Sequence, residues 1–281
     1  MTQAKIGVVG MGDLGGRIAQ LGMASAPVVG MRRGSGAPHG VTLIQHDAST
    51  PWPTLFDQPE LEMVADWVLC LSPGGRTVDA YRQAYTQVAE QALSWLQKVA
   101  PQAHVWLISS TSVYGEAQGD WVDESTITRP ETPTAKVLVE AEQLWLTSPQ
   151  PCTILRPAGL YGPGREYMFR QAREGFQIAD ADPIYTNRIH IDDAARAVVH
   201  LLKRRRTGER VADCYNLTDN APAALQEVLH WLHQRLGITP HESRQLERSS
   251  KRIAAQRLAD TGFTWHYPSF REGYSMMLAT E

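Results

Sequence analysis

The chain has 281 residues, 43% of them apolar, and a formal charge of −3 at neutral pH. That is enough apolar material to bury a substantial core in one large domain or two coupled ones, and the near-neutral charge gives no reason to expect nucleic acid or an anionic membrane as a partner. No apolar run is long enough to span a bilayer, and the N-terminus passes almost at once into a strand-like run, so the expectation is a cytoplasmic protein without a signal peptide. Cys70, Cys152 and Cys214 lie in apolar segments without Cys-x-x-Cys spacing, and read as packing thiols rather than disulfides or zinc ligands.

The first predicted element is the apolar strand Ile6-Gly7-Val8-Val9, which breaks into Gly10-Met11-Gly12-Asp13-Leu14-Gly15 and then a helix near 13–23. Gly-x-Gly-x-x-Gly between a strand and a helix is the dinucleotide fingerprint. Gly10 permits the tight turn, Gly12 lets backbone N–H groups approach a pyrophosphate, and Gly15 lets helix and strand pack closely. Asp13 and Leu14 open the helix, whose positive end would face the phosphates. The second strand, near 27–31, does not end in the carboxylate that an NAD site usually offers to the ribose 2′-OH. It ends in Arg32-Arg33, followed by Gly34, Ser35 and Gly36. Guanidinium groups can take a 2′-phosphate bidentately, so NADP is preferred to NAD. A solvated arginine pair is the alternative, and it leaves the missing carboxylate without an account.

Further strands are predicted near 41–46, 66–72, 104–110, 152–156 and 213–217, with helices near 76–99 and 133–147 and another from Asp192 through Leu202. This alternation predicts an α/β protein with a Rossmann-type, doubly wound parallel sheet covered on both faces. Tyr81, Tyr85, Val88, Ala92, Trp95, Leu96 and Val99 give the helix near 76–99 one broad apolar face. That face, like Val137, Leu138, Ala141, Leu144 and Trp145 on the next helix, suits either sheet packing or a homodimer seam. Lys203-Arg204-Arg205-Arg206 closes a helix and reads as a solvated end complementing the macrodipole. His230 and His233 share a helix face without a Glu between them and read as surface histidines, so no metal is expected.

Four later segments resemble the extended short-chain dehydrogenases, the NAD-dependent epimerase/dehydratase family, in an atypical form. Leu107-Ile108-Ser109-Ser110-Thr111-Ser112-Val113-Tyr114-Gly115 is similar to the family's strand-five signature, and Leu155-Arg156-Pro157-Ala158-Gly159-Leu160-Tyr161-Gly162-Pro163-Gly164-Arg165 to its strand-six motif. Asn187-Arg188-Ile189-His190-Ile191-Asp192-Asp193-Ala194-Ala195 resembles its H-V-D-D-x-A segment, and the stretch from Lys251 to Gly273 its C-terminal end. The resemblance implies a dinucleotide-binding domain over 1–156, with 191–217 returning to it. A smaller substrate-binding lobe would comprise 157–190 and 218–281. It also implies that Asp47, Leu71, Ser72 and Pro157 contact the cofactor, although Asp47 reads equally well as a turn or helix-start acid.

The family's chemistry rests on a Ser or Thr after strand five and a Tyr-x-x-x-Lys pair on the next helix. By resemblance the hydroxyl falls on Ser110 and the lysine, a ribose clamp, on Lys136; the tyrosine position holds Thr132. A phenol with a pKa near 10 can be drawn toward the working range by a neighbouring cation, whereas an aliphatic hydroxyl is far too weak an acid. The triad is therefore incomplete. Tyr114, Tyr161, Tyr167 and Tyr185 are the candidate replacements, with packing the competing role for Tyr114 and Tyr161. The Asp-Glu pair of the family's dehydratases is absent, Thr111 and Ser112 standing there. Asn187 occupies the place of the arginine that commonly meets a nucleotide-sugar diphosphate, with Arg188 next to it and Arg165 and Arg170 as substitutes.

These residues imply an NAD(P)-binding oxidoreductase or an epimerase/dehydratase-like protein acting on a small hydroxylated or carbonyl substrate, a nucleotide sugar among the options. Ser110, Lys136 and Tyr114 are its catalytic candidates. The contrasting expectation is a catalytically silent NADP-binding sensor.

Overall fold

Short apolar runs, several of them rich in Val, Ile and Leu, recur along the chain between helical stretches, and such runs are stable only when both faces of the sheet they build are covered. A computed structural model of the chain, which describes residues 3–54, 56–178, 182–244 and 249–279, shows how they assemble. In chain order the elements are β1 (Lys5–Val9), α1 (Asp13–Gly22), β2 (Val28–Arg32), β3 (Thr42–Gln45), β4 (Val64–Leu69), α2 (Val78–Tyr81), α3 (Val88–Val99), β5 (His104–Ile108), β6 (Trp121–Val122), α4 (Pro133–Leu146) and β7 (Cys152–Pro157). They continue with β8 (Gly159–Tyr161), α5 (Tyr167–Arg173), β9 (Phe176–Ile178), β10 (Tyr185–Thr186), β11 (Arg188–His190), α6 (Ile191–Arg206), β12 (Cys214–Leu217), β13 (Ala223–Ala224), α7 (Leu225–Leu236), β14 (Glu242–Arg244), β15 (Arg252–Ile253), α8 (Gln256–Ala259) and α9 (Phe270–Ala279). A π-helical stretch, Arg82–Gln87, joins α2 to α3.

The main sheet has seven strands in the order β12-β7-β5-β4-β1-β2-β3. The pairs that join β3, β2, β1, β4, β5 and β7 are all parallel. This is the doubly wound α/β sheet that the alternation predicts. From β1 the chain winds outward through β2 and β3, then returns to the other side of β1 through β4, β5 and β7. The switch point therefore lies between β1 and β4, where open α/β sheets bind ligands at the carboxyl ends of the strands.

Two compact units are present: Met1–Val113, Thr128–Arg156 and Ala195–Tyr215 in the first, and Tyr114–Ile127, Pro157–Ala194 and Asn216–Glu281 in the second. The segment 114–127 thus joins the second unit, not the dinucleotide domain to which its sequence position assigns it.

Buried charge braces the first unit. Asp66 on β4 is fully buried and accepts hydrogen bonds from Arg205 (3.1 Å), Arg206 (2.7 Å) and Trp106 Nε1 (3.1 Å). Arg206 also donates to the carbonyls of Ala4 and Lys5. The basic end of α6 is therefore not simply a solvated terminus, because two of its four cations neutralise an interior carboxylate. A second brace joins three elements: Glu142 of α4 accepts from Ser109 Oγ at the end of β5 (2.5 Å), and from Arg156 Nε (3.1 Å) and Nη2 (2.6 Å) of β7. Such a pair stabilises only while every member is present, since removing one partner strands a buried charge.

The core of the second unit is aromatic and aliphatic, with Phe169, Phe176, Leu225, Val228, Leu229, Leu232, Phe270 and Tyr274 packed together. Asp193 of the H-I-D-D segment accepts the backbone N–H groups of His266 (3.0 Å) and Tyr267 (2.8 Å), a structural task. His233 is buried rather than at the surface, whereas His230 is exposed.

Candidate functional site

The glycine-rich loop leaves β1 at Val9. Gly10 has φ +88°, and a Cβ there would lie 2.0 Å from the carbonyl oxygen of Cys70. A Cβ at Gly15 would lie 2.0 Å from the carbonyl oxygen of Gly10, so α1 can approach the loop only through a glycine. Gly12 is the opposite case: it is exposed, and a Cβ there would meet nothing within 4 Å. The loop is closed where its backbone must pack and open above the start of α1, where a pyrophosphate would rest. Leu14 is buried beneath the loop, and Asp13 pairs with Arg17 at 3.0 Å. These residues fit a dinucleotide.

At the end of β2, Arg32 Nη1 donates to the carbonyls of Met11 (3.0 Å) and Gly36 (2.8 Å), tying the glycine loop to the turn after β2. Arg33 is exposed, and its carbonyl accepts from Gln45 Nε2 at 2.9 Å. Beyond β3, Asp47 Oδ1 accepts from Ser49 Oγ (2.8 Å) and Ser49 N (3.0 Å). Those bonds, with help from Arg33, hold the Asp47 carboxyl below the usual carboxylate range. Leu71, half-buried, and Ser72, exposed, follow β4. The first unit therefore brings Gly10, Gly12, Asp13, Leu14, Gly15, Arg32, Arg33, Asp47, Leu71 and Ser72 to the carboxyl ends of β1, β2, β3 and β4.

Ser110 follows β5 and is half-buried. Its Oγ accepts from Ser112 N at 3.1 Å at the head of a short 3-10 turn, which leaves the hydroxyl proton to donate. Thr132 is the N-cap of α4: its Oγ1 accepts from Ala135 N at 3.2 Å, and Pro133 occupies the first helical position. The position of the family tyrosine thus lies just outside the helix, and its hydroxyl is used to cap it. Lys136 is exposed, while Leu138, Ala141, Glu142 and Trp145 form the buried stripe of α4. Lys136 is displaced about 160° around the helix from Leu138, so its stem leaves the side opposite the packed stripe.

None of the four candidate replacement tyrosines lies in the first unit. Tyr114 is buried and donates to Asn216 Oδ1 at 2.9 Å. Tyr161 is buried against Tyr274 and donates to the Ser269 carbonyl at 3.4 Å, and burial raises its pKa well above the phenol range. Tyr167 is exposed, and Tyr185 lies under the Arg252 guanidinium at 4.6 Å. Pro157 closes β7 and is buried. Asn187 Nδ2 donates to the Lys251 carbonyl (2.9 Å) and its Oδ1 accepts from Ile253 N (2.8 Å), a bracing role. Arg188 is buried over the Phe270 ring. Sequence reasoning missed the Glu142–Arg156 brace next to Ser110; its signal was an acid inside the apolar i, i+3, i+4, i+7 stripe of α4. No group of three or more His, Cys, Asp or Glu side chains that could hold a metal is present among the described residues, and none of their helices is long and apolar enough to cross a membrane.

Comparison with known proteins agrees with this architecture. Residues 74–217 match the model of the NAD dependent epimerase/dehydratase family. Protein YeeZ of Escherichia coli K12 is 31% identical over 225 residues, 75% of each chain. A structure from Methylobacillus flagellatus, assigned by name to the NAD-dependent epimerase/dehydratases, is 32% identical with a TM-score of 0.81 over 99% of both chains. The UDP-glucuronic acid 4-epimerase of Bacillus cereus, solved in complex with NAD, shares the fold at 19% identity, with a TM-score of 0.76 over 96% of this chain and 95% of that one. By fold, motif order and these matches, the chain belongs to the NAD-dependent epimerase/dehydratase family.

Proposed function

We propose that this protein is an NADP(H)-binding oxidoreductase or epimerase-like member of its family, acting on a small hydroxylated or carbonyl compound in the cytoplasm. The observation that carries this reading is the loop that Gly10 and Gly15 close and Gly12 leaves open. Gly12 and the first turn of α1 hold the pyrophosphate, Arg32 and Arg33 face the 2′-phosphate, and Asp47, Leu71 and Ser72 border the adenosine side. When bound, the dinucleotide supplies hydride chemistry at its nicotinamide. Ser110 donates a hydrogen bond to the substrate oxygen. Thr132 caps α4, and its aliphatic hydroxyl is too weak an acid to stand in for the tyrosine. The nucleotide-sugar specificity of the Bacillus cereus epimerase belongs to that protein, and this chain lacks both the Asp-Glu pair and the arginine that such substrates commonly meet.

A second reading, a dinucleotide sensor without turnover, is favoured by one observation: Thr132, at the place of the family tyrosine, caps α4. Stopped-flow reduction of a panel of aldehydes, ketones and quinones with NADPH separates the two. Turnover that falls at least about tenfold in Ser110→Ala, equivalent to about 1.4 kcal/mol of transition-state binding, supports the enzyme. Tight NADPH binding with no oxidation of NADPH by any member supports the sensor.

A further inference from the structure

The first unit holds three phenols, on Tyr81, Tyr85 and Tyr215. Tyr215 is buried, and its hydroxyl oxygen accepts from Ala212 N at 2.9 Å. Tyr85 is buried too, and its hydroxyl donates to the Leu71 carbonyl at 3.4 Å, two residues beyond the end of β4. Tyr81 differs from both: it is half-buried, and its hydroxyl has no partner among the described residues.

The position of Tyr81 follows from its neighbours. Its ring stacks on Tyr85, with centroids 5.8 Å apart and planes at 29°. Tyr85 fixes which face of the helical run looks onto the end of β4, and Tyr81 lies on that face one turn nearer the helix start. Helical side chains lean toward the N-terminus of their helix, so the Tyr81 ring is directed toward the start of α2, the end of the helical run nearer β4 in the chain. The two tyrosines are linked through the π-helical stretch Arg82–Gln87, an interruption that recurs at functional sites. In the sheet, β4 lies between β1, which carries the glycine loop, and β5, which carries Ser110. If Arg32, Arg33 and Asp47 hold the adenosine half over β2 and β3, the nicotinamide half of a dinucleotide would extend to the β4 and β5 side.

We propose that Tyr81 is a dinucleotide-binding residue whose hydroxyl contacts the nicotinamide-side ribose. The proposal rests on the NADP(H) reading above. The Tyr85 ring braces Tyr81, and the bond from Tyr85 to Leu71 sets the distance of both from β4.

The test compares NADPH with adenosine 2′,5′-bisphosphate, which carries the adenosine half and the 2′-phosphate but no nicotinamide ribose. Both are titrated into wild type and Tyr81→Phe, a change that keeps the stacked ring. The expected result is an NADPH affinity reduced about fivefold to tenfold, the loss of one ribose hydrogen bond, with the affinity for the bisphosphate unchanged. Equal weakening of both ligands, or of neither, overturns the proposal while leaving the NADP(H) reading in place. If wild type binds neither ligand, that reading fails and the proposal fails with it. Circular dichroism and thermal unfolding of Tyr81→Phe establish that the fold is retained, and Tyr81→Leu, which removes ring and hydroxyl together, must lose at least as much NADPH affinity.

Discussion

The glycine-rich loop after β1 and the head of α4 both lie in the first unit, and they treat the family's motifs in opposite ways. In the loop, two of the three fingerprint glycines meet a steric demand, since Gly10 and Gly15 have carbonyl oxygens where a side chain would go, while Gly12 faces open space. At the head of α4, the position of the family tyrosine serves helix construction. Thr132 caps the helix, Pro133 starts it, and Lys136 faces away from its packed stripe. Dinucleotide binding depends on backbone shape, whereas proton transfer depends on particular side chains. We therefore propose that the first can be kept in a chain where the second is altered.

The largest expected effect tests the loop. Gly10→Ala puts a Cβ against the Cys70 carbonyl at a positive φ and is expected to cost about 3–5 kcal/mol in urea unfolding. Gly12→Ala sharpens the contrast, because it is expected to change stability by less than about 0.5 kcal/mol while lowering NADPH affinity by about tenfold or more. A Gly12→Ala protein that binds NADPH as wild type does would remove the loop from the account.

An effect of middle size sets the pH at which such comparisons are valid. His104 on β5, bonded to Thr153 Oγ1 at 2.9 Å, has its pKa lowered from 6.5 to about 4, first by burial and then by Arg205. The unfolded chain therefore takes up this proton before the folded one does. The stability contributed by neutral His104 is complete above pH 6.5 and is lost as pH falls through about 4. The total is about 3 kcal/mol. In urea unfolding between pH 4 and pH 7, His104→Gln should flatten this slope; an unchanged slope would assign it to other groups.

The smallest effects belong to α4. Thr132→Ala should cost about 1 kcal/mol of stability through the lost cap, with NADPH affinity unaltered. A Thr132→Ala protein of wild-type stability but weakened NADPH binding would return Thr132 to the site.

The parallel sheet was legible because aliphatic runs alternated with 3.6-period helices, and the loop because glycines report backbone demands directly. The brace formed by Ser109, Glu142 and Arg156 was harder to read, since its members are 33 and 14 residues apart in sequence and only folding pairs them. The basic end of α6 misled for the same reason, as Asp66 lies 139 residues before Arg205. The outward direction of Lys136 depends on where α4 begins and which stripe it buries, and motif spacing does not encode either. Tyr81 was visible only as one member of an apolar helix face. Its free hydroxyl emerges once Tyr85 is seen against Leu71.

We propose that dinucleotide binding rests on the glycine loop, the β2 turn and the segments that follow β3 and β4, and not on α4. The most direct test is fluorescence titration of wild type, Arg32→Ala and Lys136→Ala with NADPH and NADH. The account predicts that wild type prefers NADPH, that Arg32→Ala abolishes the preference, and that Lys136→Ala changes the NADPH affinity by less than about twofold. A large loss of NADPH affinity in Lys136→Ala, or no binding of either dinucleotide by wild type, would contradict it.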